Sequence, residues 1–331
     1  MFFLDKIETM IIKKFKPTYF LKDSHIQTIY PAIFTKFQNL EVEVEEFKLD
    51  DGDFVECVWL NRPTKDAKKP IVTLFHGLAG GFKSHYIQRV MQALGKEGFS
   101  VVLMHFRGCG TKPNTLARSY HSGESDDAKQ WLGELKKRYP NSKLHAVGYS
   151  LGGNMLLKLL SETDILTSAI AISAPMKLEI CADKMNSGFS KLYQYYLMKN
   201  LKKDLLKKYK LHDMVSLIGI DEKDVKNLKT FWEFDDAYTA PIHGFKDAKD
   251  YYEKSSSHQF LKKIKTKTLI LNALDDPFMT PQVLPTEDEI SNSVECEYYP
   301  FGGHVGFVSG SVFKPRYWLE ERIINYFSYN A

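Results

Sequence analysis

Gly148-Tyr149-Ser150-Leu151-Gly152 carries the plainest chemical meaning in this chain. It sets a serine between two glycines where the apolar run 144–149 passes into a helix-like segment. A serine on a tight strand-to-helix turn needs small neighbours because the backbone is crowded there, and its hydroxyl is pushed out above the sheet. The backbone N–H of Leu151, at the start of the next helix, then faces any oxyanion formed on a carbonyl that Ser150 attacks. Serine is a weak nucleophile unless a base takes its proton and a third group fixes that base. The chain supplies both kinds of group further on. Asp275 and Asp276 follow the apolar run 266–272, and His304 stands behind Gly302 and Gly303 after the next apolar run. Asp276 is followed by Pro277 and Phe278 and preceded three positions earlier by the small Ala273, so it is the chosen orienting acid. Asp275 is the reserve, and whichever carboxylate is not used caps the turn that follows. Gly302 and Gly303 let the histidine loop come close to the serine. A second oxyanion donor is sought in the glycine-rich stretch His76 to Gly81, where the N–H of Leu78 is the candidate. Ser150, Asp276 and His304, with the amides of Leu78 and Leu151, are the equipment for acyl transfer through a serine ester.

Groups so far apart in sequence meet only if a sheet carries them all to one edge. The runs 70–75, 100–106, 144–149, 168–173, 266–272 and 294–299 are continuously apolar, as strands buried on both faces of a parallel sheet are. Helix-period segments lie between them at 86–94, 125–139 and 154–160, and a closing helix is predicted over 314–329. A hairpin precedes them, with strands over 41–49 and 54–60 and a turn at Asp50-Asp51-Gly52-Asp53. This alternation predicts an α/β fold, a mostly parallel sheet flanked by helices. From 176 to 258 the rhythm breaks into amphipathic pieces rich in aromatics, read as a helical cap insertion within a single domain spanning 1–331. Residues 1–40 form a leader packed on the core, in which Ser24 caps a short helix. The stretch 191–210 carries Leu192, Tyr195, Tyr196, Leu201, Leu205 and Leu206 beside Lys202, Lys203, Lys207, Lys208 and Lys210. It reads as a packed helix with a solvated lysine face, the alternative being weak peripheral contact with an anionic membrane.

Composition narrows the classes. A chain of 331 residues, 44% hydrophobic and 26% charged, buries a large core and is not disordered. Its formal charge of +4 is small for this length, and no basic stripe interleaved with stacking aromatics is evident, so no nucleic-acid partner is expected. Cys57, Cys109, Cys181 and Cys296 form no C-x-x-C pair, which argues against a disulfide framework or a zinc site and for a reducing, cytoplasmic compartment. Residues 1–12 are apolar but broken by Asp5, Lys6 and Glu8, unlike a signal peptide. No apolar run reaches the ~18 residues that cross a bilayer, so the chain reads as soluble. Further residues draw notice. His121 and Asp126 have the spacing of an acyltransferase H-x-x-x-x-D pair, but Ser122 or Ser125 ahead of acidic residues reads better as a helix cap. Arg107 reads as a structural partner of an acidic group in preference to an anchor for a substrate carboxylate or phosphate. Cys109 reads as a small buried residue, and His76 as shaping the loop around Leu78.

Taken together, several motifs give the chain a family resemblance. They are Phe15-Lys16-Pro17 with His25-Ile26-Gln27-Thr28-Ile29, the stretch His76 to Gly81, Phe106 to Gly110, Tyr120 to Gly123, Gly148 to Gly153, Asp235 to Phe245, Asp276 to Phe278 and Gly302 to Phe307. With these the chain resembles the YheT-like branch of the α/β-hydrolases over about residues 15–327. Relatives in that branch include the embryogenesis-associated proteins and membrane-bound lipid hydrolases. The resemblance implies an α/β-hydrolase fold and a serine hydrolase of carboxylic esters, with Ser150, Asp276 and His304 as its triad and 176–258 as a cap over the pocket. Lipid-cleaving relatives are often anchored by an N-terminal membrane helix. None is seen here, which speaks against a long-chain membrane lipid as substrate. The combined reading is an esterase or lipase-like enzyme for small-molecule apolar acyl or aryl esters, working through an acyl-enzyme without cofactor or metal, as a monomer or dimer. The alternatives are an acyltransferase using the same serine and a non-catalytic binding module on the hydrolase fold.

Overall fold

Eight strands form one sheet in the computed structural model, which describes residues 7, 10–11, 15–35, 39–311 and 313–330. They are β1 (Glu43–Lys48), β2 (Phe54–Leu60), β3 (Ile71–Phe75), β4 (Ser100–Met104), β5 (Leu144–Tyr149), β6 (Ser168–Ile172), β7 (Lys267–Ala273) and β8 (Val294–Tyr299). Their spatial order is β1-β2-β4-β3-β5-β6-β7-β8. The hairpin β1–β2 joins β4 in antiparallel fashion, and β4 through β8 run parallel. Most of the stretch 1–12, read above as unlike a signal peptide, lies outside the described residues. Among the described residues no helix is long and apolar enough to cross a membrane.

The two faces of the sheet are covered by different helices because alternate side chains point opposite ways. Helix α1 (Ser24–Phe34) lies in the leader, α2 (His85–Lys96) follows β3, α3 (Asp126–Arg138) precedes β5 and α4 (Leu151–Leu160) follows it. Ile71 and Phe75 of β3 join the core that holds Trp131 of α3 and Leu156 of α4. Val72 and Leu74 join the opposite core, with Ile87 and Met91 of α2 and Phe327 near the chain's end. Glycine spacing at α4 leaves it nearly all buried, since it lies directly on the sheet.

Between β6 and β7 the chain forms helices and turns with no strand. These helices are α5 (Leu178–Met185), α6 (Ser190–Lys208), α7 (Met214–Ile218), α8 (Glu222–Asn227), α9 (Phe231–Phe234), α10 (Ala240–His243) and α11 (Ala248–Ser255). A π-helical turn, Asp235–Thr239, links α9 and α10. The small strands β9 (Val308–Gly310) and β10 (Pro315–Tyr317) pair with each other before α12 (Trp318–Asn330).

Four local expectations are corrected. Asp23, not Ser24, caps α1, its carboxylate accepting from the amides of His25 and Ile26. Ser125 holds the cap position of α3 without bonding its amides. Its hydroxyl donates to Glu162 instead, and the amide of Ser122 donates to Tyr251 Oη. The helix after Ser150 starts at Leu151, because the elbow turn is complete in one residue. The closing helix starts at Trp318, since residues 315–317 are drawn into pairing with β9.

Candidate active site

Ser150 stands on a backbone with φ 52° and ψ −121°, a conformation that costs energy for a residue with a side chain and is held here by its surroundings. Its amide donates to Ile172 O at 2.8 Å, tying the turn to β6. A Cβ on Gly148 would fall 2.4 Å from Gly152 O, and one on Gly152 would fall 2.5 Å from His76 O. The turn therefore requires both glycines.

The sheet edge brings the three separated groups together. His304 Nε2 lies 3.0 Å from Ser150 Oγ, and His304 Nδ1 lies 2.8 Å from Asp276 Oδ2. With Nδ1–H donating to the carboxylate, Nε2 is left to accept the serine proton. Asp276 is buried, and its other oxygen accepts the amide of Phe278 at 2.8 Å. The Phe278 ring lies flat on the imidazole, centroids 3.9 Å apart and planes within 7°. Asp275 does not cap the turn after it. It accepts the amide of Gly303 at 2.9 Å and so holds the histidine loop. Burial is the main cause that raises its pKa to about 6, and the neighbouring Asp276 charge adds to this against the pull of the Gly303 amide.

Sequence reading assigned no role to the groups that buttress this loop from α1. Thr28 Oγ1 accepts the His304 amide at 2.9 Å while donating to Ser24 O at 2.8 Å. Gln27 is wholly buried, donating from Nε2 to Val308 O and to Leu21 O and accepting the Val308 amide at 2.7 Å. A Cβ on Gly306 would lie 2.2 Å from Gln27 O, so α1 packs on the loop through bare backbone. The available signal was His25-Ile26-Gln27-Thr28, quoted above as a motif without a function.

Two residues of the cavity lining have unused amides. Leu78 N–H and Leu151 N–H have no hydrogen-bond partner among the described residues, and both residues line the cavity in front of Ser150. Neighbouring amides are spent: Gly77 N–H on Tyr86 Oη, Ala79 N–H on Tyr120 Oη and Gly80 N–H on Gly77 O. His76 shapes this loop. Its Nε2 accepts from the Phe106 amide at 3.1 Å and its Nδ1–H donates to Gly77 O at 2.7 Å. Burial, reinforced by His105, holds its pKa down at about 3, so the ring is neutral.

The cavity measures about 590 Å³. Leu178 and Met185 of α5, Leu197, Leu201 and Leu205 of α6, and Phe234 of α9 give it apolar walls. Lys208 and Asp235 add polar groups to its lining. Lys208 donates to Asn114 Oδ1 and to the carbonyl oxygens of Asn114 and Leu116, and burial lowers its pKa to about 8. Asp235 accepts from Thr239 Oγ1 at 2.6 Å and Tyr252 Oη at 2.7 Å, and burial raises its pKa to about 6.

Arg107 is a buried structural hub. Its Nε and Nη2 each reach Asp127 at 2.6 Å, and its Nη1 reaches Asp51 at 2.7 Å and Asp53 at 3.1 Å. Burial opposes its charge, but these carboxylates outweigh that and hold its pKa above the usual arginine value. Cys109 lines the cavity wall, and burial raises its pKa to about 12. His121 meets Glu124 and His243 rather than Asp126, with ligand-type atoms within 4.8 Å of one another. His121 and Glu124 of this cluster are already engaged, while His243 Nε2 is buried without a hydrogen-bond partner among the described residues. His121 Nδ1 accepts the Gly123 amide, which leaves the proton on Nε2, and Arg118 holds Glu124 at 2.8 Å. That arrangement suits a packed polar cluster better than a metal site.

The profile of the alpha/beta hydrolase fold family matches residues 70–311, a span that contains Ser150, Asp276 and His304. The chain belongs to the α/β-hydrolase family. Within it, the chain is 40% identical over 313 residues to YheT of Escherichia coli K12, covering 94% of this chain and 92% of YheT, which places it in the YheT-like branch. It is 30% identical to the monoacylglycerol lipase of Saccharomyces cerevisiae over 73% of this chain and 56% of that protein. Among solved structures, the Pyrococcus furiosus esterase Pf2001 superposes with a TM-score of 0.57 at 18% identity, covering 88% of this chain and 91% of the esterase, a likeness of fold.

Proposed function

We propose that this protein hydrolyses carboxylic esters through an acyl-enzyme formed on Ser150. Ser150 Oγ attacks the ester carbonyl as His304 Nε2 takes its proton, and the imidazolium so formed is stabilised by Asp276. The N–H groups of Leu78 and Leu151 stabilise the oxyanion of the tetrahedral intermediate. His304 then returns the proton to the departing alkoxide, which leaves as the alcohol. Water, deprotonated by the same nitrogen, attacks the acyl-serine and releases the acid, and the proton goes back to Ser150. The observation that carries this reading is the unbroken chain from Ser150 Oγ through His304 to Asp276, at 3.0 and 2.8 Å, opening onto an apolar cavity. A cavity of about 590 Å³ falls among pockets that enclose one small organic ligand, and its apolar walls suit an acyl chain. The lipase name of the yeast relative agrees with an ester of that kind.

The test is hydrolysis of p-nitrophenyl esters of increasing acyl length. Turnover is expected to rise from acetyl toward medium chains, and Ser150→Ala is expected to lose at least ~10⁴-fold in kcat. Turnover that survives in Ser150→Ala would overturn the reading.

A further inference from the structure

The outer half of α6 is built unlike an ordinary solvated helix face. At about 100° per residue, Lys191, Leu192, Tyr195, Tyr196, Lys199, Lys203 and Leu206 all fall on one half of its circumference. Leu192 is 44% exposed, Tyr195 64% and Tyr196 61%, and Phe189 just before the helix is 51% exposed. Isolated exposed apolar residues are common, but these recur on successive turns of one face between lysines. Beside them is a depression of about 640 Å³ whose lining holds lysines and no acidic residue. Lys199, Lys203, Lys207 and Lys210 come from α6 and its exit, and Lys226 and Lys229 stand across from them. Asp204 pairs with Lys207, and Lys202 is spent on the carbonyl oxygens of Lys226 and Leu228. Lys199, Lys203, Lys210, Lys226 and Lys229 have no ion-pair partner among the described residues. Like charges gathered in a concave site repel one another until an anion enters, and the floor beneath them is apolar at Met198, Leu206 and Leu228.

We infer that this face of α6 docks the protein on an anionic phospholipid bilayer, the lysines meeting headgroup phosphates and Leu192, Tyr195, Tyr196 and Phe189 entering the interface. Lysine beside exposed aliphatic and aromatic groups fits a bilayer better than nucleic acid, which has no use for Leu192. The position of the helix gives the docking a purpose. Its opposite face supplies Leu197, Leu201 and Leu205 to the cavity before Ser150, so one helix separates the bilayer from the acyl-binding wall. His25 fixes the start of α6 against α1, its Nδ1 3.1 Å from Tyr193 Oη and its ring 4.4 Å from that of Phe189. The supply of a lipid ester by this route rests on the esterase reading, whereas the docking itself does not.

The test is co-sedimentation of the full chain with vesicles of phosphatidylcholine alone or mixed with phosphatidylglycerol, at low and physiological salt. Thermal midpoint and hydrolysis of a water-soluble short ester serve as controls for folding and for the site. Binding is expected to the anionic vesicles only, weakening with salt and persisting in millimolar inorganic phosphate. The double variant Lys199→Glu, Lys203→Glu is expected to lose at least ~10-fold in partition. Tyr195→Ala, Tyr196→Ala is expected to lose several-fold, and both variants should keep the wild-type midpoint and short-ester turnover. Absence of vesicle binding, equal binding to neutral vesicles, unchanged binding by the charge-reversed variant, abolition by inorganic phosphate, or binding to heparin in place of vesicles would each overturn the inference. Vesicle binding without any ester turnover would sink the esterase reading alone.

Discussion

Two buried polar networks in this molecule use similar contacts to opposite ends. Around Arg107, three carboxylates take up the guanidinium, and Asp53 also receives Asn114 Nδ2 at 2.6 Å and the Thr115 amide at 2.7 Å. That network is closed: every guanidinium nitrogen is bonded to a carboxylate, and together they tie the β1–β2 turn to the loop before α3. Around Ser150 the bonded chain stops at a hydroxyl on a cavity, and the amides of Leu78 and Leu151, which line the same cavity, are unspent. A saturated buried network is a clamp, whereas one with donors left over is a place where charge can develop.

The contrast is sharpest in paired variants. Ser150→Ala is expected to lose at least ~10⁴-fold in kcat with little change in thermal midpoint, because only a cavity-facing hydroxyl is removed. Asp276→Asn should cost ~10³- to 10⁴-fold in kcat, since the amide no longer holds His304 in its productive tautomer. Asp275→Asn, one residue away, should cost ~10-fold or less, because an amide oxygen can still accept the Gly303 amide. Equal losses in those two variants would contradict the assignment of Asp276.

Arg107→Met is the converse case. Breaking a buried charge network from one side is expected to cost ~3–5 kcal/mol in urea unfolding, while kcat per folded molecule stays within a few-fold. Stability that was unchanged and activity that was abolished would make Arg107 part of the chemistry. Thr28→Val, which removes the acceptor for the His304 amide, should lower kcat by ~10-fold with KM little changed.

The smallest effect is a pH dependence at Asp275. Its pKa is raised in the folded state to about 6 from 3.8, so the folded state binds that proton more tightly than the unfolded chain does. Its contribution to stability is therefore fully present below the unfolded pKa and lost as pH rises through about 6. Asn cannot titrate. The midpoint of Asp275→Asn relative to wild type should climb between about pH 4 and 6 and level off above, as read by thermal melts across that range.

Much of the site was legible because backbone crowding writes itself into sequence. Gly148 and Gly152 are there because no Cβ fits, and the apolar runs are strands because both faces are buried. Adjacent aspartates, however, differ only in which neighbour each meets after folding, the imidazole for Asp276 and the Gly303 amide for Asp275. Gln27 and Thr28 were silent because the bonds that tie them to the histidine loop reach Val308 and His304, more than 270 positions away. Ser24 misled because the neighbouring Asp23 carboxylate takes the first amides of α1, and Ser125 because its hydroxyl donates to the distant Glu162. The lysine and tyrosine positions of α6 look scattered in linear order and form one surface only when wound into a helix.

The most direct measurement is covalent labelling of the purified protein with a fluorophosphonate ester, followed by peptide mass spectrometry, alongside Ser150→Ala. A single stoichiometric adduct is expected on the peptide that contains Ser150, absent from the variant and slowed in Asp276→Asn. An adduct on another residue, or none on a folded protein that still turns over esters, would contradict Ser150 as the nucleophile.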